Sequence, residues 1–187
     1  MQAEVTKSLA ILKKGGTILY PTDTVWGVGC DATSSKAVSK IFSLKSRNEK
    51  KSLIILLDSA HKIKNYVSHF PEQAIDLIDH YHKPLTIVFS GAKNIAKNLI
   101  AEDGTIAIRI VKHRFCTELI KKFGKPLVST SANVSGTPTP AVFRDITEFI
   151  KSQVNFVVDY EQDKLEPATP STVIKMDQNG SYEILRP

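Results

Sequence analysis

Apolar positions along the chain follow two periods, one typical of helices and one typical of strands. Spacings of three and four residues predict amphipathic helices in the segments 5–12, 34–44, 71–81, 113–123 and 142–151. Short apolar or β-branched runs bounded by turn residues predict strands in the segments 17–20, 25–30, 53–57, 85–89, 105–111, 126–129, 156–159, 171–176 and 182–185. Residues 129–141 are rich in Ser, Thr, Gly and Pro, which predicts a long polar loop.

The order of these segments predicts the fold class. Helices and strands alternate through most of the chain, as in proteins built on parallel crossovers. The last two strands depart from that pattern, because Gln178-Asn179-Gly180 between them is a typical hairpin turn. We therefore expect an α/β protein: a single-domain twisted mixed sheet, with parallel and antiparallel strands and flanking helices, over residues 1–187.

The composition favours a globular protein. Hydrophobic residues make up 42% of the 187 residues, enough for one core, and charged residues make up 24%. No apolar stretch approaches the roughly 18 residues of a membrane helix, and the N-terminal segment lacks a signal-peptide pattern. The expectation is a soluble cytoplasmic protein with no membrane partner, in which Cys30 and Cys116 are packed side chains.

The charge balance indicates the kind of partner. A net charge of +6 and a pI near 9.2 favour anionic ligands such as nucleotides, phosphates or RNA. A basic surface that only contacts solvent explains the same numbers equally well. The histidines show no spacing for metal binding, so we expect them at the surface.

Polar clusters follow several predicted elements and are the candidates for a ligand site. They are Thr22-Asp23-Thr24, Lys45-Ser46-Arg47, Ser129-Thr130-Ser131-Ala132-Asn133 and Pro170-Ser171-Thr172. Because ligands of open α/β sheets bind where loops converge beyond strand ends, these clusters are candidates to line one cavity. Three of them also have plain structural interpretations: a turn in which Asp23 bonds nearby amides, a cationic helix end, and a flexible connection.

Arg109 alternates with Ile108 and Ile110 in a predicted strand whose other residues are apolar. A buried guanidinium needs an anionic partner, which is either a structural carboxylate or the carboxylate or phosphate of a ligand. The chain contains no GxxxxGK[ST], GxGxxG or GxSxG motif. A nucleotide site in this protein must therefore be built differently from a P-loop or a dinucleotide fold.

Six short motifs occur in a fixed order: YPTDTVWGVGCDA, KIFSLKSR, KPLT, AIRI, STSANVSG and PSTVI. Together they closely resemble the YrdC/TsaC family of threonylcarbamoyl-AMP synthases over nearly the whole chain. The resemblance implies a YrdC-like fold and a nucleotidyltransferase that converts ATP, L-threonine and bicarbonate to L-threonylcarbamoyladenylate and pyrophosphate, with Mg²⁺ assisting. It also implies downstream threonylcarbamoyl-transferase proteins that act on tRNA.

The resemblance implies site residues position by position. Lys45 and Arg47 match the KxR motif and are expected to contact the ATP phosphates as the catalytic cations. Further ATP contacts are implied at Thr105, Ser131, Asn133, Thr139 and Arg186. Contacts to L-threonine are implied at Thr24, Arg109, Ser129 and Ser171, with Arg109 as the partner of the amino-acid carboxylate.

The sequence departs from the family pattern at a few positions: Lys51, Leu56, Tyr81-His82-Lys83 and Val111. These departures bear on details of ligand contact and not on the reaction class. The chain ends at Pro187, and the resemblance is to the short, single-domain bacterial form.

The implied reaction is a displacement at phosphorus. The neutral amine of threonine adds to bicarbonate or derived CO₂, and an oxygen of the resulting carbamate attacks the α-phosphorus of ATP. An alternative function, favoured by the net charge, is a non-catalytic RNA-binding or ribosome-maturation module. A carbamoyl-transfer domain of the same fold is a further alternative.

Overall fold

Helices and strands alternate along residues 1–45, 53–166 and 169–187, which are the residues that the computed structural model describes. The α-helices are α1 Gln2–Lys13, α2 Ser35–Leu44, α3 Gln73–His80, α4 Arg114–Phe123 and α5 Glu148–Gln153. The strands are β1 Ile18–Tyr20, β2 Gly27–Gly29, β3 Ile54–Leu57, β4 Leu85–Phe89, β5 Ile106–Ile110, β6 Leu127–Ser131, β7 Phe156–Val157, β8 Thr172–Met176 and β9 Tyr182–Arg186. Short 3₁₀ turns lie at Ala60–Asn65, Lys97–Leu99 and Phe143–Asp145.

In the described part of the chain, the strands form one nine-stranded sheet in the order β7-β1-β2-β6-β3-β5-β4-β8-β9. Three neighbouring pairs are parallel, namely β1 with β7, β3 with β5, and β4 with β8. The other neighbours are antiparallel. The mixed sheet with flanking helices confirms the predicted fold class.

The ends of several elements follow from single residues. Ser34 caps α2, because its side chain accepts a hydrogen bond from the backbone N–H of Ala37. Gly124 follows α4 with a φ of +72°, a conformation that glycine adopts without a side-chain clash. Gly180 has a φ of +87° in the turn between β8 and β9, as the predicted hairpin requires.

The sheet separates two apolar cores, because successive residues of a strand point to opposite faces. Leu19 and Ile55 belong to the core under α2 and α3. Tyr20 and Leu56 belong to the core under α1 and α4. Among the described residues, this second core takes none from β4, β5 or β8. That part of the face is therefore available to polar residues.

Two predicted segments differ in the structure. The predicted helix 142–151 is divided into the 3₁₀ turn Phe143–Asp145 and the helix α5, because Thr147 has an extended backbone and caps α5 through the N–H of Ile150. The predicted loop 129–141 begins too early, because β6 continues to Ser131, which pairs with Gly27 of β2. None of the described helices has the length and apolar character needed to cross a membrane.

Both cysteines are free and buried, which confirms that they are packed side chains. Burial raises the pKa of the Cys30 thiol and raises that of Cys116 well above its ordinary value. Both sulfur atoms are therefore held as neutral thiols and are unsuited to act as nucleophiles.

Candidate active site

One face of the sheet carries a cavity of about 510 Å³. Two cross-strand rows of residues lie on this face. The first row consists of Ser129, Ile54, Ala107, Val88 and Lys175. The second consists of Leu56, Arg109, Thr86 and Val173. Because side chains alternate between the faces of a sheet, this face receives hydroxyls and charged groups while the opposite face stays apolar.

Most of the residues implied as ligand contacts line this cavity: Thr24, Thr105, Arg109, Ser129, Ser131, Thr139, Ser171 and Arg186. They come from parts of the chain that are distant in sequence. Members of three of the four polar clusters thus converge, which the sequence left open. The individual ligand roles of these residues stay predictions.

Arg109 is the buried cation of the cavity, with only 4% of its side chain exposed. Its Nη2 lies 3.3 Å from Asp23 Oδ1 and donates to Thr22 Oγ1 at 3.4 Å. Its Nε is buried without a hydrogen-bond partner among the described residues. A structural carboxylate is therefore present, as one of the two interpretations of Arg109 required.

The turn before β2 is organised by Thr22 and not, as one interpretation of the sequence had it, by Asp23. Thr22 Oγ1 accepts from the N–H of Thr24 and donates to the carbonyl of Val25, which closes the turn locally. Asp23 Oδ2 instead accepts from the backbone N–H of Lys112, 89 residues away. Asp23 is thus a long-range partner of the segment that follows β5.

Ser171 is buried just before β8 and is held from two sides. Its hydroxyl lies 2.7 Å from the hydroxyl of Thr86 on β4. The guanidinium of Arg186 donates to the Ser171 carbonyl through Nη2 at 2.8 Å and through Nε at 3.2 Å. Arg186 therefore ties the last strand to the wall of the cavity.

Lys45 follows α2 and is 2% exposed. Its ammonium donates to the Ser131 carbonyl at 2.7 Å and to Asn133 Oδ1 at 2.8 Å. Asn133 in turn donates through Nδ2 to the carbonyl of Thr137, so this part of the serine-rich loop is held by several contacts. Of these residues, Ser131 lines the cavity, whereas Lys45 and Asn133 are not among the described lining residues. Arg47 and Lys51 lie outside the described residues.

Thr105 lies at another part of the cavity wall, just before β5. Its hydroxyl donates to Asp103 Oδ1 at 2.6 Å, and its backbone N–H donates to the same oxygen. Hydrogen bonds from Thr105 are the largest influence that lowers the pKa of Asp103, which also faces Lys175. The carboxylate is thereby held ionised beside the lining hydroxyl. Thr139, in contrast, is exposed at the rim.

A second cavity, of about 280 Å³, shares Thr24 and Trp26 with the first. His113 lines it with 12% of its side chain exposed, and its Nε2 lies 3.0 Å from Glu161 Oε2. The expectation that every histidine lies at the surface is therefore wrong for His113, because Glu161 packs against it. The other four histidines are exposed.

Two family departures fall at buried positions. Leu56 is fully buried and pairs in register with Arg109, so an apolar side chain flanks the guanidinium. Val111 is buried in the core under α1 and α4. Both departures therefore have packing roles beside the strand that carries Arg109.

Sequence reasoning gave no individual site role to several residues that shape the site, although Asp23 belongs to a polar cluster that it named and Trp26 and Thr86 to motifs that it quoted. Thr86, Trp26 and Asp103 line the first cavity, and Asp23 contacts Arg109. A usable signal existed for Thr86, because it alternates with Leu85 and Ile87 in β4 and interrupts an apolar run. No local pattern connects Asp23 with Arg109, since their contact depends on the strand order.

The mixed sheet, the hydroxyl-lined cavity and the buried arginine together define an α/β protein with a site for a small polar ligand. The profile of the Sua5/YciO/YrdC family, described as "Telomere recombination", matches residues 10–187. The chain belongs to this family.

Curated relatives match along most of the chain. A threonylcarbamoyl-AMP synthase of Pseudoalteromonas translucida is 34% identical over 182 residues, which cover 96% of each chain. A threonylcarbamoyl-AMP synthase of Klebsiella pneumoniae is 36% identical over 137 residues, or 72% of each chain.

Solved structures show the same fold. Sua5 of P. abyssi, in a crystal structure complexed with L-threonine, superposes with a TM-score of 0.85 and 26% identity. The match covers 98% of this chain and 53% of Sua5, so the chain spans about half of that protein. YciO of E. coli superposes with a TM-score of 0.83 at 21% identity, over 100% of this chain and 89% of YciO.

Proposed function

We propose that this protein is a threonylcarbamoyl-AMP synthase. It would convert L-threonine, bicarbonate and ATP to L-threonylcarbamoyladenylate and pyrophosphate, the first step of N6-threonylcarbamoyladenosine formation in tRNA. The observation that carries the proposal is one cavity in which converging hydroxyls surround a buried arginine whose Nε has no hydrogen-bond partner in the described part of the chain. Relatives named for this activity, one of them 34% identical over 96% of the chain, support it.

The amino-acid end of the site centres on Arg109. A carboxylate that reaches Nε would satisfy a buried donor and form a charge-assisted hydrogen bond. The hydroxyls of Thr24, Ser129 and Ser171 line the same cavity and offer both donors and acceptors to the amine and side chain of threonine. The threonine complex of the related Sua5 supports this choice of amino acid.

The nucleotide end of the site uses residues from other elements. Thr105, Ser131, Thr139 and Arg186 line the cavity and are proposed to contact ATP. Lys45 is proposed to act on the phosphates together with Arg47, from its position against the Ser131 carbonyl. Asn133 would orient that ammonium, since its Oδ1 accepts from Lys45 Nζ.

The chemistry needs positioning and neutralisation of charge more than a protein nucleophile. The neutral amine of threonine adds to bicarbonate with loss of water, and a carbamate oxygen then forms a bond to the α-phosphorus. The bond from that phosphorus to the β-phosphate oxygen breaks, and pyrophosphate leaves with the electron pair. Both reactants are anions, so the cations of the site lower their repulsion and hold them in line.

Mg²⁺ is best described as part of the ATP substrate. Asp103 is the one carboxylate among the described residues that line the cavity, and its Oδ1 already accepts two hydrogen bonds from Thr105. The described residues contain no group of three acidic, histidine or cysteine side chains suited to a metal ion. Phosphate oxygens and water would therefore supply most of the ligands, as is usual for this ion.

The chemical lability of the product implies a partner protein that receives it. An acyl adenylate is a labile mixed anhydride, so we propose that a downstream threonylcarbamoyl-transferase protein receives it before hydrolysis. The acceptor of the group is then the adenosine of tRNA, and the net charge of +6 is compatible with direct contact to RNA.

Threonine-dependent release of pyrophosphate tests the proposal. Purified protein with ATP, Mg²⁺ and bicarbonate should release pyrophosphate when L-threonine is added, and should release little without it or with D-threonine. No stimulation by L-threonine in folded protein would overturn the proposal. If the same protein bound RNA with a strong salt dependence, the result would favour the RNA-binding module.

A further inference from the structure

Asp23 and Arg109 form a buried contact between two parts of the chain that are distant in sequence. The Asp23 side chain is 14% exposed and its Oδ1 lies 3.3 Å from Arg109 Nη2. Arg109 lines the first cavity and Asp23 lines the second. The ion pair thus lies in the wall between the two cavities.

Asp23 is itself fixed relative to the strand that carries Arg109. Its Oδ2 accepts from the backbone N–H of Lys112 at 3.0 Å, just beyond the end of β5. A carboxylate that is anchored to the end of β5 holds the guanidinium in a defined place above that strand. Thr22 adds a second acceptor on the same side, at 3.4 Å from Nη2.

These contacts all involve a single nitrogen of the guanidinium, Nη2. Nη2 is engaged by Asp23 and Thr22, whereas Nε is buried without a partner among the residues described. The planar guanidinium has a rigid fork of donors, so fixing Nη2 also fixes the direction of Nε. The pair therefore holds Nε in a fixed direction within a residue that lines the cavity, and it compensates the charge of the buried cation.

We propose that Asp23 is a positioning residue that holds Arg109 in the orientation needed to bind the amino-acid carboxylate. The proposal rests on the proposed function and extends it to a residue that does not line the first cavity. Removing the Asp23 charge makes the site more positive, which alone would favour an anion. It also frees the guanidinium to reorient toward other acceptors. We expect this loss of orientation to be the larger effect, because a hydrogen bond from Arg109 to the substrate carboxylate is directional.

Steady-state kinetics of Asp23→Asn provide the main test. We expect the KM for L-threonine to rise by about 10- to 100-fold, as for loss of an oriented charge-assisted contact. The KM for ATP should stay within about twofold, since the ATP contacts are elsewhere. The conservative variant Asp23→Glu should recover part of the threonine affinity, because it restores the charge. An unchanged or lower threonine KM in Asp23→Asn overturns the proposal.

A matched control comes from the same second cavity. Glu161→Gln removes a carboxylate that is paired with His113 and Lys164 instead of Arg109. Its threonine KM should be that of the wild type. An equal rise in both variants would mean that any change in the second cavity disturbs the site, which contradicts a specific role for Asp23.

A double mutant distinguishes positioning from a direct contact with the substrate. If Asp23 acts through Arg109, adding Asp23→Asn to Arg109→Ala should change kcat/KM for threonine by less than about twofold. If the double mutant instead loses kcat/KM by the product of the two single-mutant losses, Asp23 acts independently of Arg109 and the proposal fails.

The orientation of Arg109 can also be measured without the reaction. In ¹⁵N NMR of the ligand-free protein, a held guanidinium rotates slowly and gives resolved Nη signals for Arg109. In Asp23→Asn the guanidinium should rotate faster, so that the Nη signals merge into one. If the guanidinium rotates as fast in the wild type as in the variant, the proposal is overturned. This result is independent of whether the protein makes the adenylate, so failure of the proposed function and failure of this inference are separable.

Discussion

Arg109 and Lys45 are both buried cations, but their surroundings differ. Lys45 donates to the Ser131 carbonyl and to Asn133 Oδ1, so its ammonium is part of the internal hydrogen-bond network. Arg109 forms an ion pair with Asp23 through Nη2, whereas its Nε has no hydrogen-bond partner among the described residues. We therefore expect loss of Arg109 to affect mainly ligand affinity, and loss of Lys45 to affect both stability and the use of ATP.

Arg109→Ala should raise the KM for L-threonine by about 10- to 100-fold, through loss of a charge-assisted hydrogen bond to the carboxylate. The KM for ATP should change by less than about twofold. Initial rates of pyrophosphate release over a range of each substrate measure both values. An unchanged threonine KM would remove Arg109 from the amino-acid site.

Lys45→Met should lower the free energy of unfolding by about 1–3 kcal/mol, because it removes the ammonium that donates to the Ser131 carbonyl and to Asn133 Oδ1, which then keeps only the Ser131 hydroxyl as a donor among the described residues. It should also raise the KM for ATP. The matched control is Lys40→Met on the exposed side of α2, where the lysine contacts only the carbonyl of Gly15 among its described partners. The free energy of unfolding of the control, measured with urea, should lie within about 0.5 kcal/mol of the wild-type value. Equal stability of both variants would contradict the buried network.

Strand β2 shows how small residues allow neighbouring strands to pack closely beside the site. A side chain at Gly29 would collide with the carbonyl oxygen of Val128 and would approach the ring of Tyr20. Tyr20 donates its hydroxyl to that same carbonyl. Because Gly29 has no side chain, the tyrosine ring has room to reach it. The glycines of the motif that begins at Tyr20 thus serve close packing of strands β1, β2 and β6.

Gly29→Ala should therefore destabilise the protein by about 1–3 kcal/mol, as an overpacked core position does. Gly27→Ala should destabilise the protein less than Gly29→Ala, because its added methyl group meets mainly the Ser129 hydroxyl, which can rotate. Thermal unfolding of the two variants compares them directly. A higher Tm for Gly29→Ala than for Gly27→Ala would contradict this explanation.

The pair of His113 and Glu161 joins the start of α4 to the segment after β7. Burial acts to raise the pKa of Glu161, but hydrogen bonds from His113 and Lys164 outweigh it and lower the pKa below its ordinary value of 4.5. A carboxyl group with a lowered folded-state pKa stabilises the fold above its unfolded pKa and loses this contribution as the pH falls through the folded value.

Glu161→Gln should consequently be less stable than the wild type near neutral pH. The difference in the free energy of unfolding should shrink as the pH falls below the ordinary pKa of 4.5 and through the lowered folded-state pKa, because the wild-type carboxyl is then protonated. Urea unfolding at a series of pH values measures this difference. A gap that stays constant over that range would show that Glu161 does not contribute through its charge.

At the scale of the whole molecule, the sequence predicted elements better than their assembly. Short apolar and β-branched runs predicted β4 and β5, and the alternation of Arg109 with Ile108 and Ile110 singled out that arginine. Thr147, in contrast, was not recognised as a new helix start. The order of strands depends on contacts between distant segments, such as Asp23 with Lys112, and no local pattern contains them. For the same reason the convergence of Thr24, Ser129 and Ser171 required the structure.

The family resemblance contributed what the patterns could not. Periodicity and composition indicated a basic α/β protein with polar clusters, and left an enzyme and an RNA-binding module both open. The order of the motifs selected the family, and the match over residues 10–187 established it. The structure then adds a cavity on one sheet face, with Asp23 and Thr86 as contacts that the motifs alone did not assign.

The most direct test of the central claim is to follow ¹³C-labelled bicarbonate into the product by mass spectrometry. Purified protein is incubated with the label, ATP, Mg²⁺ and L-threonine, and the reaction is stopped rapidly because the adenylate is labile. We predict an adenylate with the mass of threonylcarbamoyl-AMP that carries the ¹³C label. A wild-type protein that is folded and binds ATP but gives no labelled adenylate would contradict the account.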